Sequence, residues 1–333
     1  MYMCVILCSL CSCLSDKRNH VLFESPNTEL QFEEMDVEPL LGNPYQLEII
    51  DSILIIADYV DENALLLYHL NDSSYQRRLL IGEGPQDVIP PLSIDVDENQ
   101  KSISVLQRQT GDCRKYVLDD LLNTGIPAFR KYNLELSDRM VETNDGYAYM
   151  GFDEKGVLLY AGENGSVMVI DKFEEYEMDD PSIKYKLTQG RISFSKKNNS
   201  LLYAPSYMSD IKMYTCQSGK WSMKEILSIG NGKVEKRIKD GDFGLYRDDV
   251  NYCVDICKTE DYFYVLYDGS ELGGRKKADY HYVMSFDMEG NLTEVYKVNS
   301  TVCDICVSED EVMYALMYSV KDGEPIIGKA VLR

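Results

Sequence analysis

Three features of the sequence predict an all-β protein that folds as a six-bladed β-propeller with four antiparallel strands in each blade. First, 25 of the 333 residues are tyrosine, and aromatic and β-branched side chains suit a pleated sheet. Second, one strand–turn–strand segment recurs along the chain. Third, polar turns join these strands at hairpin spacing. A chain of this length also has enough residues to bury a substantial core.

The recurring segment is clearest in residues 254–266 and 303–315, which begin 49 positions apart. Both contain Asp-Ile-Cys, a polar turn and then an apolar strand, and residues 94–106 match this pattern without a gap. A fourth copy lies at 192–204, and two weaker copies occur at 47–57 and 140–151. Six copies with a period of about 48 residues are typical of propeller blades, which contain four strands each.

A hairpin after each copy supplies the remaining strands of the blade. In the best example, strands at 280–287 and 292–298 are joined by the turn Met-Glu-Gly-Asn. Such turns join antiparallel neighbours. Residues 234–240 are predicted to form a short helical insertion, and no longer helix is expected. The same hairpin pattern recurs at 65–70 with 75–81, and at 211–215 with 221–227.

The end of the chain predicts how the ring closes. The last copy supplies only three strands, at 302–306, 311–318 and 325–332. Residues 21–37 precede the first copy and contain alternating apolar positions, so we expect them to add the outermost strand to the last blade and cover its edge. The predicted divisions are a signal segment (1–13), a tether and possible closing strand (14–30) and one propeller domain (31–333).

The first 13 residues form an apolar run that contains four of the ten cysteines. This run is shorter than the roughly 20 residues that span a bilayer and fits the core of a secretory signal. Residues 10–13, Leu-Cys-Ser-Cys, resemble a bacterial lipobox, which implies that Cys13 carries a lipid. A plain cleaved signal and a cytosolic N-terminus are the alternatives, and no basic residue precedes the apolar run.

From about residue 30 onward, the chain resembles the TolB-like six-bladed propeller lipoproteins of Bacteroides-type bacteria. The lipobox-like segment carries this resemblance together with residues 82–88, Gly-Glu-Gly-Pro-Gln-Asp-Val. In these residues we expect Gly82 and Gly84 to supply a positive φ or a close approach, and Pro85 to fix the turn between blades. The family is mostly of unassigned function, so the resemblance implies a fold and an exported lipoprotein but no chemistry.

The net charge and the histidine content disfavour several classes of function. With 34 basic and 56 acidic residues, the net charge is -22, which argues against a nucleic-acid partner and against an anionic membrane surface. The chain has three histidines, which leaves little room for a Ser/His/Asp triad, and it contains no Gly-x-Ser-x-Gly motif. No catalytic residue is predicted.

Three aspartates occupy the same repeat position on predicted inner strands: Asp95, Asp255 and Asp304. Side chains alternate along a strand, so all three are expected to share one orientation. If they face the channel, they form a candidate site for a ligand or for a hard cation such as Ca²⁺. The alternative is that each carboxylate accepts a hydrogen bond from the backbone of a neighbouring blade.

Four cysteines on predicted strands allow several interpretations: Cys253, Cys257, Cys303 and Cys306. Cys257 and Cys306 are repeat-equivalent, so we expect them to pack as small buried side chains in equivalent positions between blades. A disulfide between adjacent blades is an alternative for an exported protein. A zinc site is disfavoured, because zinc-binding cysteines usually lie on tight turns.

Residues 269–279 interrupt a hairpin and contain Arg275, Lys276 and Lys277. This positive tip on an acidic protein is either a solvated loop or a candidate recognition loop.

Together these features predict an exported, lipid-anchored outer-membrane protein, monomeric and facing the periplasm or the surface. Its expected function is non-catalytic binding of a protein or glycan ligand, or scaffolding of envelope neighbours. The alternative is a Ca²⁺-dependent hydrolase that resembles propeller lactonases. Because propellers host many activities, the fold alone does not decide between them.

Overall fold

The computed structural model describes residues 28–60, 62–135, 137–153, 156–230, 232–274 and 281–332. Within them, the strands form six sheets, five of four strands and one of five. The predicted signal segment, with Cys13, and residues 275–277 lie outside the described residues.

The first three blades follow one another along the chain, and each runs from an inner to an outer strand. Their strands are β3 Pro44–Ile50, β4 Ile53–Val60, β5 Asn63–His69, β6 Tyr75–Leu80; β7 Leu92–Asp97, β8 Ser102–Gln107, β9 Asp112–Val117, β10 Phe129–Asn133; and β11 Ser137–Glu142, β12 Gly146–Asp153, β13 Gly156–Gly162, β14 Val167–Asp171.

Among the last three blades, the fifth and the sixth each include a strand from the N-terminal segment. Their strands are β15 Gly190–Ser195, β16 Ser200–Pro205, β17 Asp210–Gln217, β18 Lys220–Ser228; β19 Cys253–Lys258, β20 Tyr262–Tyr267, β21 His281–Asp287, β22 Leu292–Val298, with β1 Thr28–Leu30; and β23 Val302–Val307, β24 Val312–Tyr318, β25 Pro325–Val331, with β2 Glu33–Met35.

The inner strands close a ring. Strand β3 contacts β7, and the contacts continue through β11, β15, β19 and β23 back to β3. The hairpin-linked strands within the blades pair antiparallel. The predicted six-bladed propeller with four antiparallel strands per blade is therefore confirmed.

The predicted closure by an N-terminal strand is also confirmed. Strand β2 pairs antiparallel with β25, and Glu33 lies opposite Lys329. This strand lies just after residue 30 rather than within 14–30. Strand β1 was not predicted as a separate element. It pairs parallel with β22 in the fifth blade, and its Leu30 is buried, so the N-terminal segment joins two neighbouring blades.

Three short helices interrupt the repeat: α1 Leu118–Asn123, α2 Pro181–Thr188 and α3 Lys233–Lys239. Helix α3 confirms the insertion predicted at 234–240. Helices α1 and α2 were not predicted. Helix α2 does have a local start signal, because the Asp180 carboxylate accepts hydrogen bonds from the Ser182 and Ile183 N–H groups and Pro181 follows it.

Apolar side chains fill the spaces between blades. Among the described residues, one hydrophobic cluster lies at each of the six junctions. At the first junction, Ile55 and Leu67 of one blade join Ile94 and Val105 of the next. This packing fixes the angle between adjacent sheets and thus the width of the central channel.

Candidate functional site

The inner strands surround a central cavity of about 550 Å³. Alternate residues of a strand point to the same face, so each inner strand contributes every second side chain to the wall. Strand β7 contributes Ser93, Asp95 and Asp97, and β15 contributes Ser193 and Ser195. The cavity is therefore mostly polar and accessible from the ends of the channel.

The three repeat-equivalent aspartates all line this cavity, and each joins two blades. Each carboxylate accepts a hydrogen bond from a backbone N–H of the next blade, which confirms the second interpretation of their role. The donors are Glu142 for Asp95 at 2.7 Å, Ile305 for Asp255 at 2.8 Å, and Leu47 for Asp304 at 2.7 Å.

Two other side chains make equivalent contacts that the sequence did not reveal. The amide of Gln46 accepts from the Ile94 N–H at 2.9 Å and donates to the Ile94 carbonyl at 2.7 Å. The guanidinium of Arg191 donates to the Val254 carbonyl. Side-chain-to-backbone bonds of this kind thus join neighbouring inner strands around the channel.

The carboxylates do not form a ligand group for a cation. Among the described residues, no three His, Cys, Asp or Glu side chains lie close enough together to hold a metal ion. Ca²⁺ requires six to eight oxygen ligands, whereas the backbone hydrogen bonds keep Asp95, Asp255 and Asp304 at separate junctions.

Burial dominates the titration of these carboxylates. It raises the pKa of Asp95 and that of Asp255 to about 6. Burial, followed by the nearby charge of Asp255, raises the pKa of Asp304 well above its usual range. Burial and the charge of Asp95 do the same for the pKa of Glu48. Ionising these groups therefore costs the folded state stability.

We expect Asp255→Asn to stabilise the protein at pH 7.5 and to reduce the loss of stability between pH 5 and 7.5. The pKa of Asp255 is raised in the folded state, so its protonated carboxyl group stabilises the wild-type fold. This stabilisation is complete at a pH below the ordinary pKa of an aspartate and is lost as the pH rises through about 6. The full effect is about 2–3 kcal/mol. The Asn oxygen retains an acceptor for the Ile305 N–H.

Thermal unfolding of both proteins across this pH range measures the effect. Asp310→Asn, at an exposed position, is the matched control and should leave the pH dependence unchanged. Equal pH slopes for wild type and Asp255→Asn would show that this carboxylate does not oppose folding.

At one end of the cavity, where the inner strands end, opposite charges are paired. The ammonium of Lys196 lies 2.6 Å from carboxylate oxygens of both Asp97 and Glu142, and Lys115 lies 2.7 Å from Glu142. Burial opposes the charge of Lys196, but its hydrogen bonds to the two carboxylates raise its pKa. We call this end the lysine mouth.

At the other end, where the inner strands begin, three guanidinium groups line the cavity: Arg108, Arg139 and Arg191. We call this end the arginine mouth. Burial, followed by the charge of Arg191, lowers the pKa of Arg139 to about 10. Arg108 forms an ion pair with Asp138. The sequence does not reveal this cluster, because the three residues lie in three different blades and share no motif.

The cysteines behave as small buried side chains. Cys257 packs between the fifth and sixth blades, and Cys306 packs between the sixth and first, which confirms their equivalent inter-blade positions. No disulfide links the six cysteines of the described residues. Burial raises the pKa of the Cys253 thiol and raises that of Cys303 to about 11, so both thiols are protonated at neutral pH.

The glycines of the family-like segment act through close approach rather than through an unusual φ. Neither Gly82 nor Gly84 has a positive φ. A Cβ atom at either position would lie 2.5 or 2.6 Å from a carboxylate oxygen of Asp87. The Gly84 N–H donates to that carboxylate at 2.9 Å. The segment is therefore a tight inter-blade turn closed on Asp87.

The fold and the cavity define a six-bladed β-propeller with a polar channel that carries different charge at its two mouths. The chain belongs to the TolB-like six-bladed propellers. The family model described as "TolB-like 6-blade propeller-like" matches residues 25–310. Among curated proteins, none matches the sequence significantly.

Solved structures with low sequence identity share the fold. A putative exported protein from Bacteroides fragilis has 12% identity and a TM-score of 0.60, with 92% of this chain and 95% of that one covered. A DUF4221 family member from Bacteroides vulgatus has 9% identity and a TM-score of 0.57, covering 91% and 98%. A luciferin-regenerating enzyme has 11% identity and a TM-score of 0.54, covering 91% and 95%.

None of the three helices in the described part of the chain has the length and apolarity required to cross a bilayer.

Proposed function

We propose that this protein is an exported, lipid-anchored propeller that binds a protein or glycan ligand in its central cavity without transforming it. The observation that carries this proposal is the cavity of about 550 Å³, a size typical of ligand pockets. Its wall combines serine hydroxyls, amides and charged groups, which can orient a polar ligand.

The chemistry of the wall favours binding over catalysis. The buried aspartates accept hydrogen bonds from backbone N–H groups at the blade junctions. Their main role is therefore to join neighbouring blades. Lys196 is likewise paired with two carboxylates. The hydrolase alternative requires a metal-ligand group, and the described residues form none.

Two observations support export and lipid anchoring. The name of the Bacteroides fragilis protein calls that protein exported, and this chain belongs to the same kind of propeller. The apolar N-terminal run of this chain ends in a lipobox-like Leu-Cys-Ser-Cys. We therefore assign lipid attachment to Cys13 and an outer-membrane location, periplasmic or surface-facing, to the propeller.

Filling the cavity tests the proposal. Glycan and peptide arrays identify a ligand of the wild-type protein, and calorimetry then compares its binding with that of Ser193→Trp. Ser193 lines the cavity, so an indole at this position occupies the channel and should weaken binding by about tenfold or more, since it removes contacts worth at least about 1.4 kcal/mol.

Lys321→Trp is the matched control, because residue 321 is exposed on the turn between β24 and β25 and should leave binding unchanged. Circular dichroism checks that both variants fold. Equal affinity of Ser193→Trp and wild type would place binding outside the cavity. Recovery of a chemically altered ligand would contradict the non-catalytic assignment.

A further inference from the structure

The arginine mouth brings three guanidinium groups together around one directly paired carboxylate. Arg108, Arg139 and Arg191 line the same end of the cavity, and Asp138 is the carboxylate beside them. One oxygen of Asp138 pairs with Arg108, and the other accepts a hydrogen bond from the Tyr185 hydroxyl at 2.6 Å. Asp138 is therefore occupied, and it pairs directly with one of the three guanidinium groups. Asp255 and Asp304 lie within electrostatic range of Arg191.

Two of these guanidinium groups also hold unused donors. The Nε atoms of Arg108 and Arg139 are buried and have no hydrogen-bond partner among the described residues. Within the described part of the chain, Arg139 otherwise makes one long hydrogen bond, 3.4 Å from its Nη1 to the Asp138 carbonyl. A buried donor without a partner is costly, and a buried charge needs a counter-charge. An anionic oxygen pair bound at the terminal nitrogens of these guanidinium groups would supply that counter-charge.

From this geometry we propose that the arginine mouth binds the carboxylate of a sugar acid; this inference rests on the proposed function of the cavity. A guanidinium presents two parallel N–H donors, which match the two oxygens of a carboxylate. The carboxylates of Asp255 and Asp304, which lie within electrostatic range of Arg191, would repel an anion from the channel beyond the mouth.

The wall beside Arg108 suits the sugar ring. Tyr45 lines the cavity, and its ring packs against Tyr59 with centroids 4.6 Å apart. Tyrosine offers an apolar face together with a polar edge, which fits the apolar face and the hydroxyl groups of a pyranose. Ser93 lines the same cavity and offers a polar contact to a hydroxyl group.

Calorimetric titration of the full chain with D-glucuronate, D-glucose and inorganic sulfate tests this proposal. We expect glucuronate to bind at least about tenfold more tightly than glucose, because a hydrogen bond to a charged group contributes about 1.5–3 kcal/mol and tenfold corresponds to about 1.4 kcal/mol. We expect the same advantage over sulfate, which lacks the sugar ring that packs beside Tyr45. Arg139→Gln should weaken glucuronate binding about tenfold or more. Arg139→Lys keeps the positive charge but lacks the two parallel N–H donors of the guanidinium, so it should weaken glucuronate binding by an intermediate factor.

Arg130→Gln is the matched control, because Arg130 is exposed on β10 and is not part of the cavity wall; its affinity should equal that of the wild type. Absence of glucuronate binding, equal binding of glucose or sulfate, tighter binding of an aspartate-rich peptide, or full affinity in both Arg139 variants would each overturn the inference. If neutral glycans bind instead and Ser193→Trp abolishes their binding, the sugar-acid inference is wrong, but the proposed function of the cavity is supported.

Discussion

Truncation of the chain before Asp36, which removes β1 and β2, is expected to lower the midpoint of thermal unfolding by about 10 °C or more. Strand β2 completes the sixth blade and β1 extends the fifth. Their loss removes buried Leu30 and half-buried Phe32 and Met35 from the hydrophobic clusters at the last blade. Burying side chains of this size contributes about 1.5–3 kcal/mol each.

The truncation also exposes two strand edges. Strand β25 loses its outer partner, so β25 and β22 both become edge strands, which favours aggregation. Truncation before Gln31 removes β1 alone and should cause a smaller decrease. Differential scanning calorimetry measures both, with Glu29→Gln as the control at an exposed position of β1. An unchanged midpoint in the longer truncation would mean that the N-terminal strand does not hold the ring closed.

Replacement of Asp58 by alanine is expected to cost about 3–5 kcal/mol, the usual effect of breaking a buried ion pair. The Asp58 side chain is fully buried and lies 3.1 Å from the Arg77 guanidinium. It also accepts hydrogen bonds from the Gly42 and Asn43 N–H groups, at 3.0 and 2.7 Å. Removing the carboxylate leaves an uncompensated cation and two N–H groups without this acceptor.

Urea unfolding of Asp58→Ala measures this cost. Asp51→Asn is the control, because Asp51 pairs with Lys101 at the surface, where both side chains are about half exposed; an exposed pair contributes about 0–1 kcal/mol. A cost for Asp58→Ala as small as that of the control would contradict the structural role of the buried pair. Asp58 holds the loop that leads into β3, so its loss should also disturb Tyr45 and Gln46 in the cavity wall.

Much of the fold could be predicted because it repeats. The segments at 254–266 and 303–315 share residues at matching positions, so strand boundaries in one blade inform the other. Strand β22, at Leu292–Val298, has the predicted bounds. Helices α1 and α2 were missed because they are short insertions that follow no repeat, and β1 was missed because its three residues show no pattern of their own.

The candidate site was only partly predictable. The aspartates could be found because they occupy one repeat position, and their backbone contacts follow from the regular spacing of the blades. The arginine mouth could not be found in the same way. Arg139 and Arg191 belong to the inner strands β11 and β15, whereas Arg108 follows β8, and only closure of the ring brings them together at one end of the cavity.

A crystal structure of the full chain grown with D-glucuronate tests most directly whether the arginine mouth is the ligand site. We expect the sugar at the mouth of the central cavity, with its carboxylate within hydrogen-bond distance of Arg139 and its ring beside Tyr45. A sugar bound on the outer face of a blade, or a cavity that stays without sugar at a saturating concentration, would contradict it.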